Sequence, residues 1–318
     1  MNLFSLITPN NIPQEKEKFF SQANYNPQFL YDWDSPLIQQ WVVKHPKYKN
    51  FVDALLSQDH QKITSEGEFL FDNTLQENIF IVAEEALGKL PPSQDTPPID
   101  VIVETFQRVL RSLDIHYEVK ISDLHGFNFR KPSDIENTLL VSRHLNMQFF
   151  SLDGEIKHEL LHIIRQENTR FNSIPNSKQY LPTEEGLATY FQDYSGKDGT
   201  SSLFQHAAEY TVMKVGRSGS FTDMTNYLEK LGFSKELAWQ RVLRHKLGFK
   251  DTSLPDDNMK SSMYFFHSQK IRDLNDEERL RLLVGKIRLD ELEKYPKYKG
   301  ILPKEKLVEF YKLKIDHP

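Results

Sequence analysis

The residues best placed to do chemistry in this chain are His158-Glu159-Leu160-Leu161-His162 and, further on, Thr183-Glu184-Glu185-Gly186-Leu187-Ala188. On a helix, at about 100° per residue, the two histidines fall roughly 40° apart and one turn apart, so both imidazoles can reach one ion. The same arithmetic gathers Ile156, Leu160, Ile163 and Ile164 within an arc of roughly 100° on the opposite side, which leaves one face to pack and one to work. Zinc takes neutral imidazole and carboxylate ligands tetrahedrally, and a catalytic site leaves its fourth position to water. Three protein ligands are therefore needed: His158, His162 and, from a second element, Glu185, for one zinc ion per chain. Glu159, beside the histidines, is then expected to act as the general base. A plainer reading gives Glu184 and Glu185 only the task of complementing a helix dipole.

The elements that must position these groups can be read from periodicity. Leu181-Pro182-Thr183 reads as a helix start with Thr183 as N-cap and both glutamates in the first turn. Gly186, poor for a helix interior, fits if this helix must approach the histidine helix closely. Upstream, Ile115 to Ile121, Phe127 to Phe129, Thr138 to Ser142 and Leu145 to Phe150 read as short strands, so a small sheet precedes the histidine helix. Before that sheet, apolar spacing predicts a helix over 67–90, interrupted near Asn73, and a second from Val101 to Leu113. Residues 10–50 read as an irregular segment followed by a short helix from Pro36 to Val43. Further helices are expected at 203–216, 221–231 and 235–247, with a charged helix over 275–293 and a final one ending near Lys314. The fold class is thus α+β, mostly helical. Residues 1–66 are expected as an N-terminal irregular and helical segment packed on the core, and 67–318 as one catalytic domain.

Composition narrows the function. A chain of 318 residues with 38% apolar residues can bury a substantial core. Its net charge of −5 argues against a general nucleic-acid binder, because neutralising phosphates needs a basic surface. There is no cysteine, so any metal ligand must be His, Asp or Glu, and no disulfide can form. The first residues show neither a basic start nor a long apolar run, and no stretch approaches the roughly 20 apolar residues of a membrane span. A cytoplasmic protein with no membrane or nucleic-acid partner is expected.

Sheet, then a His-Glu-x-x-His helix, then a helix carrying Glu is the order seen in zinc peptidases of the zincin type, so a zincin-like core is expected. More of the chain resembles one family: His158-Glu159, His162 and Arg165, then Glu185-Gly186-Leu187-Ala188, then Arg244-x-Lys246-x-Gly248-x-x-Asp251-Thr252, Lys260-x-x-x-Tyr264 and Val284-Gly285-Lys286. These residues resemble the microtubule-associated tyrosine carboxypeptidases and their bacterial relatives named for a Gln-Glu-Gly-Leu-Ala motif. The resemblance implies a zincin-type metallopeptidase that removes a C-terminal residue, tyrosine from tubulin tails in the animal members. The family places three residues between its glutamate and second histidine, whereas this chain has two, Leu160 and Leu161. The loop after Pro255 departs from the family pattern as well.

Hydrolysis of this kind needs a donor to the oxyanion, for which Tyr264, His267, Tyr190 and Arg244 are candidates. A carboxypeptidase must also hold a terminal carboxylate, a task for Lys260 and Arg244. Arg165 is expected to pair with Glu184 or another carboxylate and tie the two helices together. The partner is then the C-terminal tail of a peptide or protein. Two competing readings remain: an endopeptidase that cuts within a partner protein, and a catalytically silent binding protein that keeps the fold.

Overall fold

Runs with a helical apolar period dominate the chain, and most of them fold as helices. The structure, a computed structural model, describes residues 7–33, 36–88, 91, 95–123, 129–130, 136–194 and 199–312. Its helices are α1 Ile12–Ser21, α2 Pro36–Lys44, α3 Lys49–Ser57, α4 His60–Phe71, α5 Glu77–Leu87 and α6 Ile99–Ser112. After strands β1 Glu118–Ser122, β2 Phe129–Arg130 and β3 Thr138–Ser142 come α7 Leu152–Phe171, α8 Leu181–Tyr194, α9 Gly199–Gly216, α10 Phe221–Lys230 and α11 Lys235–Lys246. Helices α12 Met263–Arg272, α13 Asp276–Arg281 and α14 Lys304–Lys312 complete the order. The fold is α+β and mostly helical, as expected. Among the described residues no helix is long and apolar enough to cross a membrane.

Two compact units alternate along the sequence, 1–88 with 206–266 and 89–205 with 267–318, which differs from a single boundary at 66/67. The reason is visible inside the first unit, where early helices bond to a late loop. Thr64 donates its hydroxyl to Asp257 O at 2.8 Å, and Asn73 donates its amide to Met259 O at 2.9 Å and Ser262 Oγ at 2.7 Å. Asn73 does lie in the break between α4 and α5. Helix α1 forms where an irregular segment is expected, because Pro13 suits a first turn and Phe19 buries against Trp239 with ring centroids 4.9 Å apart.

The second unit is built on the three-stranded sheet, ordered β1-β3-β2. Strand β3 runs parallel to β1, with Glu118 opposite Thr138, and antiparallel to β2, with Phe129 opposite Val141. Leu139 and Val141 are fully buried and join one core with Ile156, Leu160, Ile163 and Ile164 of α7 and Leu187 and Ala188 of α8. Each large aliphatic side chain buried there contributes roughly 2 kcal/mol, and truncating one such as Ile163 to Ala would cost about 2–5 kcal/mol. The stretch Leu145 to Phe150 is a turn, not a strand; Met147, Phe149 and Phe150 are buried outside the sheet. Phe127 lies outside the described residues. The charged helix expected over 275–293 is also broken, into α13 and 3-10 turns at Leu282–Val284 and Leu289–Lys294. Between those turns Gly285 comes so close to α7 that an added Cβ would lie 2.9 Å from Thr169 Oγ1.

Candidate metal centre

Helix α7 starts where Ser151 accepts a hydrogen bond from the Gly154 N–H, with Asp153 and Glu155 in the first turn to suit the dipole. Its twenty residues are α-helical throughout, so His158 and His162 stand one turn apart, ring centroids 5.0 Å apart. Helix α8 begins at Leu181, and the Glu184 N–H is already bonded to Tyr180 O at 3.0 Å. Thr183 is therefore not the N-cap; it is buried, and its hydroxyl accepts the Leu289 N–H at 3.0 Å. The next two residues reach α7. Glu185 Oε2 lies 3.6 Å from His158 Nε2 and 3.4 Å from His162 Nε2, and one ligand atom from each of the three residues falls within 4.8 Å of the others.

Both rings are held from behind. His158 Nδ1 is 2.9 Å from Gln192 Oε1, and the amide is oriented by donating its other end to Glu155 Oε1 at 2.9 Å. His162 Nδ1 is 2.9 Å from Glu184 Oε1. In their neutral form, with Nδ1–H given to these acceptors, the imidazoles would each turn an Nε2 lone pair toward Glu185, the tautomer a metal ligand needs. Two imidazole nitrogens and a carboxylate, oriented in this way, fit zinc.

The electrostatics favour a cation. Burial works against charge at His162, but Glu185 and Glu184 outweigh it and push its pKa up to about 10. At His158 burial is likewise overcome, by Glu185 and Glu159, and the pKa rises. Burial also opposes the charge of Glu185, yet His162 and His158 hold it well below the usual carboxylate range. A divalent ion held by these groups would have to displace the protons they take up. Glu159 is half-buried, and burial raises its pKa against the pull of His162 and His158. A carboxyl tuned upward suits proton transfer.

Arg165 meets Glu184 as expected, Nη1 to Oε2 at 3.5 Å. It also donates from Nε to Gly285 O at 2.9 Å and from Nη2 to Ile287 O at 2.7 Å, fixing the segment that carries Lys286. At Gly186 the nearest approach comes from α12. An added Cβ there would lie 2.5 Å from His267 Cβ and 2.8 Å from its carbonyl carbon, so the glycine lets α12 pack on α8.

Of the remaining candidates, His267 is buried in the second unit against that glycine. Tyr190 is turned away from Glu185, about 140° around α8, with the Arg279 guanidinium 4.6 Å from its ring centroid. Arg244, Lys260 and Tyr264 belong to the first unit and gather there. The Arg244 guanidinium and the Lys260 ammonium each lie 5.5 Å from the Tyr264 ring centroid, and Lys260 Nζ is 3.4 Å from the Tyr264 hydroxyl.

Sequence reasoning missed Gln192 and Glu155, and it named Lys286 only within the Val284-Gly285-Lys286 motif, with no role. Gln192 sits two helical turns beyond Glu185 and Glu155 one turn before His158, so periodicity carried a signal for both. Lys286 comes from a distant segment whose place only the tertiary fold decides.

No protein-family model matches the sequence. The chain is 26% identical over 323 residues to microtubule-associated tyrosine carboxypeptidase 1 of Rattus norvegicus, covering 96% of this chain and 64% of that protein. To the protein of the same name from Homo sapiens it is 23% identical over 280 residues, covering 81% of this chain and 53% of that one. It thus spans less than two thirds of the length of either relative. The chain is distantly related to this carboxypeptidase family, over a span that includes α7, α8 and the Arg244 to Tyr264 segment.

Proposed function

We propose that this protein is a zinc-dependent, zincin-type metallopeptidase acting as a protein carboxypeptidase, which removes one residue from the C-terminal tail of a peptide or protein. The observation that carries the proposal is the convergence of His158 Nε2, His162 Nε2 and a Glu185 oxygen, with each imidazole backed through Nδ1. The distant relationship to tyrosine carboxypeptidases supports the exopeptidase assignment and tyrosine as the residue removed.

Held by His158, His162 and Glu185, zinc would supply Lewis acidity toward a water and the scissile carbonyl. Glu159 would take a proton from the attacking water and return it to the departing amine, a task worth about 10²–10⁴-fold in rate. Gln192 and Glu184 keep the two imidazoles in one tautomer through the cycle. Arg244 and Lys260 carry the charge that a terminal carboxylate requires, and Tyr264 and His267 carry donors that a developing oxyanion requires.

Mass spectrometry of peptide libraries with free and amidated C-termini, after incubation with the zinc-loaded protein, tests this reading. Loss of a single terminal residue from the free acids alone is expected. Internal cuts in both sets would make it an endopeptidase, and no cleavage at all would make it a binding protein.

A further inference from the structure

The two histidines of the metal centre are supported by groups of different charge. Behind His158 stands a neutral amide, Gln192, whereas behind His162 stands a buried carboxylate, Glu184. A buried carboxylate needs a cation beside it. Lys286 Nζ lies 3.4 Å from Glu184 Oε1, the same oxygen that meets His162 Nδ1, and 3.4 Å from the Tyr180 hydroxyl. Its side chain is 12% exposed.

The backbone around this lysine is fixed with unusual care. Arg165 donates to the carbonyls on either side, Gly285 O and Ile287 O, and the Lys286 N–H donates to Thr169 Oγ1 at 2.7 Å. A Cβ at position 285 would also lie 3.3 Å from Thr169 Cα, so any larger residue would push this segment from α7. All of these anchors belong to α7, the helix that carries His158 and His162, so the ammonium is placed in the frame of the two imidazoles.

Building on the metal reading, we propose that Lys286 is a positioning residue of the centre: it holds Glu184, and Glu184 holds the His162 ring with Nε2 toward the ion. Because its backbone clasp is made by Arg165 and Thr169, Lys286→Met keeps the anchoring of the segment and removes only the ammonium. Outer-shell changes of this kind typically weaken metal binding by about 10- to 100-fold.

Zinc dissociation constants from chelator competition on the full chain provide the test, together with the visible spectrum of the cobalt-loaded protein. Lys286→Met is expected to raise the zinc dissociation constant about 10- to 100-fold and to change the cobalt spectrum, and Lys286→Arg to restore both. In a Glu184→Gln background Lys286→Met is expected to have no further effect, because the group it acts through is gone. Unchanged zinc affinity in Lys286→Met, or effects of the two substitutions that simply add, would overturn the proposal. The nitrogen-15 resonances of the His162 imidazole in metal-free protein separate this from the metal reading. If wild type takes up no zinc the metal reading fails, yet a shift of the Nδ1–H signal in Lys286→Met still supports the Lys286–Glu184–His162 linkage, and no shift refutes it.

Discussion

His162 and His245 make the same bond in different units. Each presents Nδ1 to a buried carboxylate, Glu184 Oε1 at 2.9 Å and Asp257 Oδ2 at 2.6 Å. Beyond that bond they diverge. His162 Nε2 faces Glu185, with His158 one turn away, and this is the one group among the described residues able to hold a metal ion. His245 Nε2 is buried with no hydrogen-bond partner, and both its side chain and that of Asp257 are fully shielded from solvent. Asp257 spends its other oxygen on the Met259 N–H at 2.7 Å, while its carbonyl takes the Thr64 hydroxyl. Lys246, next to His245, donates to Leu254 O at 3.0 Å and Asp256 O at 2.6 Å. The His245 pair therefore fastens a loop, whereas the His162 pair orients a ring that the proposed function makes a metal ligand. A histidine–carboxylate pair does not define a site; the convergence of further ligands on the opposite ring nitrogen does.

That contrast can be broken most sharply by alanine. His162→Ala is expected to abolish zinc uptake and hydrolysis while the chain still folds, as measured by elemental analysis and circular dichroism. His245→Ala is expected to leave zinc per folded chain unchanged and to lower stability by about 2 kcal/mol or more, because Asp257 loses its buried partner. Zinc loss in His245→Ala would show that the two pairs are not separate in role.

A pH titration of stability sharpens the same division. Burial pushes the Lys246 pKa down to about 8, against the pull of Asp257 and Asp256. Between about pH 8 and the ordinary lysine value of about 10.4 the unfolded chain holds a proton that the folded one has released, so stability should rise with pH across that window. The rise should be on the order of 3 kcal/mol in wild type and absent in Lys246→Met, as read by urea unfolding at successive pH values. On the acid side, burial opposes the charge of Glu209, but Arg241, at 3.1 Å, with Arg244 keeps its pKa below the usual carboxylate value. That contribution is present above the usual carboxylate pKa and is lost as pH falls. The smallest effect belongs to Thr64→Val, which removes the bond to Asp257 O and should cost about 1 kcal/mol without altering zinc binding.

How much of this was legible beforehand follows the range of the interactions. The spacing of His158, Glu159 and His162 and the buried face of Ile156, Leu160, Ile163 and Ile164 are properties of one helix, and periodicity reads them directly. The pairing of Arg165 with Glu184 was also within reach, because opposite charges one motif apart invite it. Thr183 was misread because local capping rules cannot know that Leu289 supplies its partner. The nearest neighbour of Gly186, His267 of α12, could not be read from the spacing around the glycine. Lys286 stands in the Val284-Gly285-Lys286 motif, but its role is not legible there, because the expected charged helix is broken where Gly285 approaches Thr169. In each miss a contact between segments distant in sequence overrode a local preference.

The central claim is that His158, His162 and Glu185 hold a catalytic zinc with Glu159 as base. Its most direct test is elemental analysis paired with peptide hydrolysis on wild type, Glu159→Gln and His158→Ala. The account predicts about one zinc per chain in the first two, hydrolysis in wild type alone, and neither metal nor activity in His158→Ala. Protein that folds without zinc and is unchanged by His158→Ala would contradict it.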